Sequence, residues 1–332
     1  MNTRFRKHRR KEWWLVVFVL FGSVCAPRVK AAEAHRVVLA MGTRLEVSVT
    51  AQDADDTWLA TEAAIQAVDE VEGRLSTWRE DSDISRINRA EVGQWVQVSG
   101  ETVEDLALAA TWRRKTQRAF DPAIGLLVRS WLSGESGRLP GMAEINELLI
   151  AGNADNLEIQ GDRVRRRHGL LSLDTGAFGK GIALREAAFA AVQTGAECIT
   201  LNFGGQVMRA GRCGVLLVSI ADPRDRMSEV LRVPLALGSL ATSGNSERGI
   251  TVGTEQVSHI IDPRTGLPST FSGSVTVLAG DPVTADCLST ALFVMGPEAG
   301  MVWIRSHPAI DVDVLWIDAD GGVVWASPGF EG

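Results

Sequence analysis

The stretch TADCLSTALFVMG, residues 284–296, starts with polar side chains and ends in an apolar run typical of a helix that enters a core. Asp286 and Thr290 lie four residues apart, so a helix would place their side chains on one face. Two interpretations of this pair remain open. Asp286 could cap the helix while Thr290 bonds back to a carbonyl of the preceding turn. Alternatively, the carboxylate and the hydroxyl could be oxygen ligands for a hard cation such as Mg²⁺.

The patterns outside this helix predict an α+β fold with mostly antiparallel sheets and packed helices. Helical periodicity covers residues 55–75, 101–118 and 141–150, and a shorter helix opens at Ser82. Strand patterns predict a strand pair over 35–51, a strand, Gly-rich turn and helix over 170–192, and a hairpin over 312–327 with Asp320 and Gly321 at its turn. We expect one compact unit or two closely packed lobes.

The composition is that of a globular protein with enough length for a large core. Of the 332 residues, 45% are hydrophobic and 23% are charged. The formal net charge of −7 argues against a nucleic-acid-binding surface.

The N-terminus, residues 1–32, has the pattern of an export signal. A basic head is followed by the apolar run WWLVVFVLFGSVCA (13–26), which is too short to span a bilayer comfortably, and then by the small residues Ala31 and Ala32. We therefore expect an exported protein that is periplasmic or attached to the outer side of the inner membrane. Residues 33–332 would form a single domain. A signal retained as a membrane anchor is the alternative.

The cysteines show no spacing that suggests a zinc site. Export would permit a disulfide, but Cys198, Cys213 and Cys287 leave at least one thiol free in the expected mature chain. We interpret these three residues as buried small hydrophobic side chains.

The Gly-rich stretch LDTGAFGKG (173–181) could bind a phosphate. Asp174 is expected at the end of a strand, and Lys180 lies in the first turn of a helix, where backbone N–H groups favour anions. The spacing does not match a Walker loop or a dinucleotide-binding fingerprint. A tight strand-to-helix turn with an exposed lysine explains the stretch equally well.

Two further stretches carry polar side chains next to apolar runs. Thr242, Ser243 and Gly244 could form the hydroxyl-lined edge of a pocket or an ordinary strand end. His259, in SHIIDPRTG (258–266), could act as a general base or be structural. Neither a Ser-His-Asp order nor a GxSxG elbow supports acyl transfer.

Taken in order, these stretches resemble the ApbE family of FAD:protein FMN transferases, once called thiamine-biosynthesis lipoproteins. The resemblance covers about residues 35–300 and rests on eight short motifs. They are MGT (41–43), TWREDSDISRIN (77–88), AFDPAIG (119–125), LDTGAFGKG (173–181), NFGG (202–205), ATSGNSER (241–248), SHIIDPRTG (258–266) and ADCLSTALFVMG (285–296).

The resemblance implies an ApbE-like fold with an FAD cleft between two closely packed lobes. Family members are exported, bind one FAD and use Mg²⁺ to split its pyrophosphate. They join FMN through a phosphoester to a Thr or Ser of a target protein, typically a subunit of a membrane redox complex, and release AMP.

The resemblance also implies roles for individual residues. The family's FAD contacts correspond to Met41, Trp78, Ala119, Phe120, Asp121, Asp174, Lys180 and Ile260. Its metal ligands correspond to the backbone oxygen of Ala177 and to Asp286 and Thr290, and its catalytic residues to His259 and Asp286. His259 would deprotonate the acceptor hydroxyl, and Trp78 or Phe120 could stack on a flat ring. This chain differs from the family pattern at Ser246, which is usually aromatic, and at Ser289, where some members have another acid.

Two other functions are compatible with the same site. An FAD pyrophosphatase would use water and release free FMN and AMP. An exported, non-catalytic FAD-binding protein would leave FAD intact, although the combination of His259, Asp286 and Thr290 argues against it. Only a transferase would leave flavin covalently attached to a partner protein.

Overall fold

The computed structural model describes residues 31–132, 138–245, 250–252 and 255–330. The predicted export signal lies almost entirely outside the described residues, and so does Ser246. The division into residues 1–32 and 33–332 therefore stays a prediction.

The largest element is an eight-stranded sheet in which every neighbouring pair is antiparallel. With strands numbered along the chain, its spatial order is β1 (Ala32–Ala40), β2 (Thr43–Ala51), β6 (Ala196–Phe203), β7 (Gln206–Gly211), β10 (Gly238–Gly244), β13 (Gly273–Ala279), β14 (Val312–Asp318) and β15 (Val323–Ala326). Among the described residues three small antiparallel sheets accompany it. They contain β3 (Val96–Gln97), β5 (Arg163–Arg166) and β4 (Leu157–Gln160); β8 (Leu216–Asp222) and β9 (Asp225–Leu235); and β11 (Ile250–Val252) and β12 (Glu255–Val257).

The helices are α1 (Ala54–Leu75), α2 (Asp83–Arg89), α3 (Gly100–Lys115), α4 (Gly125–Leu132), α5 (Met142–Ala151), α6 (Gly179–Gln193) and α7 (Pro282–Ser306). The predicted α+β class with antiparallel sheets is confirmed, and the predicted helices are present with small shifts at their ends. The hairpin of β14 and β15 turns where predicted, with Gly321 at a φ of 82° that favours glycine.

Helices α6 and α7 connect the main sheet to the rest of the core. Helix α6 packs against α1 and α7, and α7 packs against β10 and β13. The core that they share includes Leu45, Phe203, Val277, Leu288 and Phe293, none of which is exposed. Burial of these side chains fixes the two helices on one face of the sheet.

Helix α7 starts at Pro282, two residues before the stretch quoted above. Its N-cap is Asp281, whose side chain accepts hydrogen bonds from the backbone N–H and the hydroxyl of Thr284, both at 2.8 Å. The helix is interrupted at Gly296, where φ is 72°. By length and apolar composition α7 would qualify as a membrane span, but half of its most apolar window is buried and it packs on the main sheet. It is therefore a core helix.

The predicted strand at the start of residues 170–192 is wrong. It is reduced to a single bridge between Ile124 and Ser172. The reason lies in Asn88 of α2, whose side chain accepts from the Leu173 N–H at 2.7 Å and donates to the Leu173 carbonyl at 2.9 Å. A side chain thus satisfies the backbone groups that a neighbouring strand would otherwise bond.

The interpretation of the cysteines is corrected in part. Cys198 and Cys213 form a disulfide, whereas Cys287 is a free, buried thiol as expected. The antiparallel register of β6 and β7 pairs Cys198 with Gly211, which brings Cys213, two residues further on, within reach.

Gly181, in the first turn of α6, allows α6 and α7 to meet closely. A Cβ at this position would lie 2.7 Å from both the Pro282 carbonyl oxygen and the Val283 Cα. We expect Gly181→Ala to lower the free energy of unfolding by about 1–3 kcal/mol because the two helices must move apart. Gly73→Ala is the matched control, since a Cβ there meets nothing within 4 Å.

The control should raise the free energy of unfolding by about 0.5–1 kcal/mol, because alanine favours the helix. Urea unfolding of the two variants and the wild type measures both effects. Equal effects of the two substitutions would contradict the close contact between α6 and α7.

Candidate active site

The Gly-rich loop that precedes α6 is fixed to three other segments. Asn88 holds Leu173, the Asp174 N–H donates to the Pro122 carbonyl at 2.7 Å, and the Thr175 hydroxyl donates to the Leu75 carbonyl at 3.0 Å. The Gly176 N–H donates to the Asp174 carboxylate at 2.8 Å. The loop therefore has a defined shape, and Asp174 serves in part to maintain it.

Met41 and Trp78 lie on segments next to this loop. Met41 occupies the β1–β2 turn with a φ of 46°, and its Cε is 3.1 Å from where a Cβ on Gly179 would lie. Trp78 follows α1, close in sequence to the Leu75 carbonyl that bonds the loop, and is 92% exposed. Its ring is available to stack on a ligand.

The predicted contacts Ala119, Phe120 and Asp121 are all buried. The Phe120 ring packs edge-on against Phe178, with the ring centroids 6.1 Å apart. Asp121 accepts from Arg113 at 2.6 Å, so its carboxylate belongs to an internal ion pair. In this arrangement the Phe120 ring belongs to the core, and the prediction of ring stacking depends on Trp78.

Asp286 is nearly buried and bridges α6 and α7. One carboxylate oxygen accepts the Gly181 N–H at 2.9 Å, and the other is 3.6 Å from the Lys180 ammonium nitrogen. Lys180 Nζ also lies 3.5 Å from the Gly176 carbonyl oxygen. The capping interpretation of Asp286 is wrong, because Asp281 fills that role and Asp286 faces a neighbouring helix.

The hydroxyl of Thr290 does not bond back to its own helix in the way the alternative interpretation required. It lies 3.3 Å from the Ser243 hydroxyl at the end of β10. Ser243 also contacts Ser289, with the two oxygens 2.9 Å apart, and Ser289 donates to the Asp286 carbonyl at 3.0 Å. The predicted hydroxyl-lined edge thus involves Ser243 in direct contact with the predicted ligand Thr290.

The donor set at this point fits a hard cation. Asp286 offers a carboxylate oxygen that already faces a positive charge and Thr290 a hydroxyl oxygen, while Ala177 offers a carbonyl oxygen in the loop that leads into α6, three residues before Lys180. Among the described residues no cluster of three or more His, Cys, Asp or Glu side chains is arranged to hold a metal. A site with few protein oxygens suits Mg²⁺, which retains water or phosphate in its shell, and does not suit zinc.

His259 and Ile260 lie on a separate segment that is anchored on both sides. The Ser258 hydroxyl accepts from the Ile260 N–H at 3.1 Å, and the Ile260 carbonyl accepts from the Ser269 N–H at 2.8 Å. The next residue, Ile261, is buried in a small core that includes Leu127 and Trp131. His259 itself is partly exposed, which is compatible with proton exchange with a ligand.

Burial strongly affects the thiol of Cys287, which directly follows Asp286. Removal from water raises the pKa of Cys287 well above its ordinary value, and the negative charges of Asp286 and Asp281 add to this effect. A thiol with a raised pKa is a poor nucleophile, so covalent catalysis by Cys287 has no support.

Comparison with known proteins decides the family. The family description "ApbE family" matches residues 41–314. The chain belongs to the ApbE family. The match begins at Met41 and extends past Thr290, so it includes every predicted site residue.

Individual relatives and solved structures cover nearly the whole chain. An FAD:protein FMN transferase of Vibrio cholerae is 29% identical over 328 residues, covering 96% of this chain and 98% of the relative. An FAD:protein FMN transferase of Klebsiella pneumoniae is 30% identical over 304 residues, covering 87% of this chain and 86% of the relative. The ApbE crystal structure from Thermotoga maritima has a TM-score of 0.81 at 29% identity and covers 90% of this chain and 98% of its own. The structure of the flavin transferase ApbE from Vibrio cholerae has a TM-score of 0.75 at 28% identity, and the match covers 91% of this chain and 99% of that chain.

Sequence reasoning did not identify Asn88 or Arg113 as residues that shape this ApbE site. Asn88 lies in the motif TWREDSDISRIN (77–88), but its partner Leu173 is 85 residues away. Arg113 reaches Asp121 and, through two hydrogen bonds of 2.9 Å each, Asp155. An arginine in the last turn of a helix usually remains exposed, so only the fold identifies this role.

We expect Asn88→Ala to loosen the Gly-rich loop while the rest of the fold persists. The substitution leaves the backbone groups of Leu173 without their partners, at a cost of about 1–3 kcal/mol. Hydrogen exchange followed by mass spectrometry should show faster exchange in peptides that cover residues 170–178. Asn156→Ala is the control, because that side chain bonds the Ala151 carbonyl at the end of α5. Unchanged exchange in residues 170–178 of the Asn88 variant would refute this role.

Proposed function

We propose that this protein is a Mg²⁺-dependent FAD:protein FMN transferase. It transfers FMN from FAD through a phosphoester to a Thr or Ser hydroxyl of a target protein and releases AMP. The names of its relatives support transfer of FMN to a protein. The observation that carries the finer proposal is the contact of Lys180 and the α6 N-terminus with Asp286 of α7, which places cationic and metal-binding groups side by side.

The chain's own groups are suited to bind the diphosphate of FAD. Lys180 is partly exposed and lies in the first turn of α6, where the helix dipole adds positive potential. Met41 and Trp78, on segments next to the Gly-rich loop, would contact the ring systems of FAD. Truncation of the exposed Trp78 side chain would weaken the binding free energy of FAD by about 1–3 kcal/mol, by analogy with bases that stack on aromatic side chains.

Asp286, Thr290 and the carbonyl oxygen of Ala177 would hold Mg²⁺. When bound, the ion would neutralise charge that builds on the phosphate oxygens during transfer. Before any ion binds, the Gly181 N–H fixes the orientation of the Asp286 carboxylate. The site is therefore preorganised by a backbone group that cannot rotate away.

His259 would act as the general base. It takes the proton of the acceptor hydroxyl while that oxygen forms a bond to the phosphorus of the FMN half. The bond from this phosphorus to the AMP half breaks, and AMP leaves with the electron pair. Lys180 and the α6 N-terminus stabilise the negative charge of the phosphates throughout.

The partner is an exposed Thr or Ser of another protein, which we propose to be a subunit of a membrane redox complex on the outer side of the inner membrane. The Cys198–Cys213 disulfide supports a location outside the cytosol, because disulfides persist in oxidising compartments. The predicted export signal supports the same location. Association with the membrane would then occur through the N-terminus.

We expect the purified protein, incubated with FAD and Mg²⁺, to make an acceptor domain that carries the target Thr fluorescent on a denaturing gel. EDTA should abolish the signal. Asp286→Ala and Thr290→Ala should abolish Mg²⁺-dependent turnover while sparing most FAD binding, because each removes a proposed metal ligand. Asp311→Ala, which changes an exposed acid before β14, is the matched control and should stay active.

The products distinguish the alternatives in this assay. Free FMN and AMP without a fluorescent acceptor would indicate a pyrophosphatase, and intact FAD after prolonged incubation would indicate a binding protein. Full activity of both metal-site variants would refute the metal assignment.

We expect His259→Ala to lower the rate of transfer by about 10²–10⁴-fold, the usual contribution of a positioned general base. The affinity for FAD, measured by quenching of flavin fluorescence, should change little. His168→Ala is the control, since His168 is an exposed histidine in a turn outside the site. Normal transfer by the His259 variant would remove this residue from the mechanism.

A further inference from the structure

A chain of hydroxyl groups connects β10 to the metal-binding face of α7. The Ser243 oxygen is 3.3 Å from the Thr290 oxygen and 2.9 Å from the Ser289 oxygen. Ser289 is 1% exposed, and its oxygen is 3.0 Å from the carbonyl oxygen of Asp286. Three hydroxyl hydrogens are thus available for three hydrogen bonds.

The direction of this chain follows from its last acceptor. A carbonyl oxygen can only accept, so the Ser289 hydrogen must point to Asp286. Ser289 must then accept from Ser243, and Ser243 in turn must accept from Thr290. The three contacts can exist together as hydrogen bonds only in this direction.

The consequence concerns the Thr290 oxygen. Its hydrogen points towards Ser243, which leaves the lone pairs of this oxygen for another partner. We propose that Ser243 and Ser289 are positioning residues that present the Thr290 oxygen as a ligand for Mg²⁺. This inference rests on the proposed function and adds two residues that do not themselves bind the ion. Groups that orient metal ligands in this way commonly affect metal affinity strongly.

The backbone holds Ser243 in place for this role. Ser243 pairs with Val275 in the antiparallel register of β10 and β13. A Cβ on the following residue, Gly244, would be only 3.1 Å from the Gly273 carbonyl oxygen, so the strands approach closely there. Ser243 therefore reaches α7 from a rigid strand end, which favours a fixed hydrogen-bond geometry.

The same strand supplies a matched control. Thr242 precedes Ser243, so its side chain lies on the opposite face of the sheet. Its hydroxyl oxygen is 2.8 Å from that of Thr276 on β13. Thr242→Val removes a hydroxyl pair of the same kind from the same strand without touching the chain that leads to Thr290.

The test is titration of the free protein with Mn²⁺, a spectroscopically visible ion that accepts the same oxygen ligands, followed by electron paramagnetic resonance. Ser243→Ala should weaken Mn²⁺ binding by about tenfold. Ser289→Ala should act in the same direction, and the double variant should be less impaired than the product of the single effects, because both belong to one chain. Ser243→Thr, which keeps a hydroxyl, and Thr242→Val should bind as the wild type does.

Turnover gives a second readout. If the serines only orient Thr290, Ser243→Ala should raise the Mg²⁺ concentration needed for half-maximal activity and leave kcat at saturating Mg²⁺ close to that of the wild type. Thermal unfolding of each variant shows whether the fold is retained, and Ser289→Ala keeps the test decisive if Ser243→Ala does not fold.

The outcomes separate this inference from the function on which it rests. If Thr290→Ala loses Mn²⁺ binding while both serine variants bind normally, the positioning role is wrong and the metal site stands. Equal weakening by Thr242→Val would also overturn the positioning role, since it would reflect general damage to β10. If the wild type shows no saturable Mn²⁺ binding, or if Thr290→Ala binds normally, the metal site and the inference both fail.

Discussion

The hydrogen bond from the Gly181 N–H to Asp286 is the contact on which the site depends. It joins the first turn of α6 to the second turn of α7 at 2.9 Å, and it is possible only because residue 181 has no side chain. The two helices carry different parts of the proposed chemistry. In the proposed mechanism Lys180 on α6 would face the phosphates, and Asp286 and Thr290 on α7 would bind the metal. Any displacement of one helix would separate these functions.

Burial of Asp286 is acceptable because of its surroundings. A buried carboxylate is costly unless hydrogen bonds and a nearby cation compensate. Here a backbone N–H at the positive end of α6 and the ammonium of Lys180 supply both. The same groups favour an anionic ligand, so stabilisation of the folded protein and the proposed recognition of a diphosphate would come from one arrangement. Lys180 can face either the carboxylate or a phosphate, whereas the Gly181 N–H stays with Asp286.

Much of the fold could be predicted from local patterns, and the failures have a common physical cause. The helices and the β14–β15 hairpin were correct because caps, periodicity and an Asp-Gly turn are local signals. The predicted strand before Asp174 was wrong because the side chain of Asn88, distant in sequence, bonds the backbone groups that a neighbouring strand would otherwise bond. The Cys198–Cys213 pair depends on the register of β6 and β7, which no local pattern sets. The start of α7, in contrast, had a readable signal, since an Asp followed by Pro is a common helix start.

Local sequence patterns predict the site even less completely than the fold. Its residues come from segments that are far apart in the chain, and most of these segments are held by a hydrogen bond to another. The bonded pairs are Pro122 with Asp174, Leu75 with Thr175, Asn88 with Leu173, Gly181 with Asp286, and Ser243 with Thr290. A single motif therefore says little about chemistry, because the position of its side chains depends on a second segment elsewhere in the chain. The order of many weak motifs is more informative than any one of them, because several motifs lie on segments that hold one another in place in the fold.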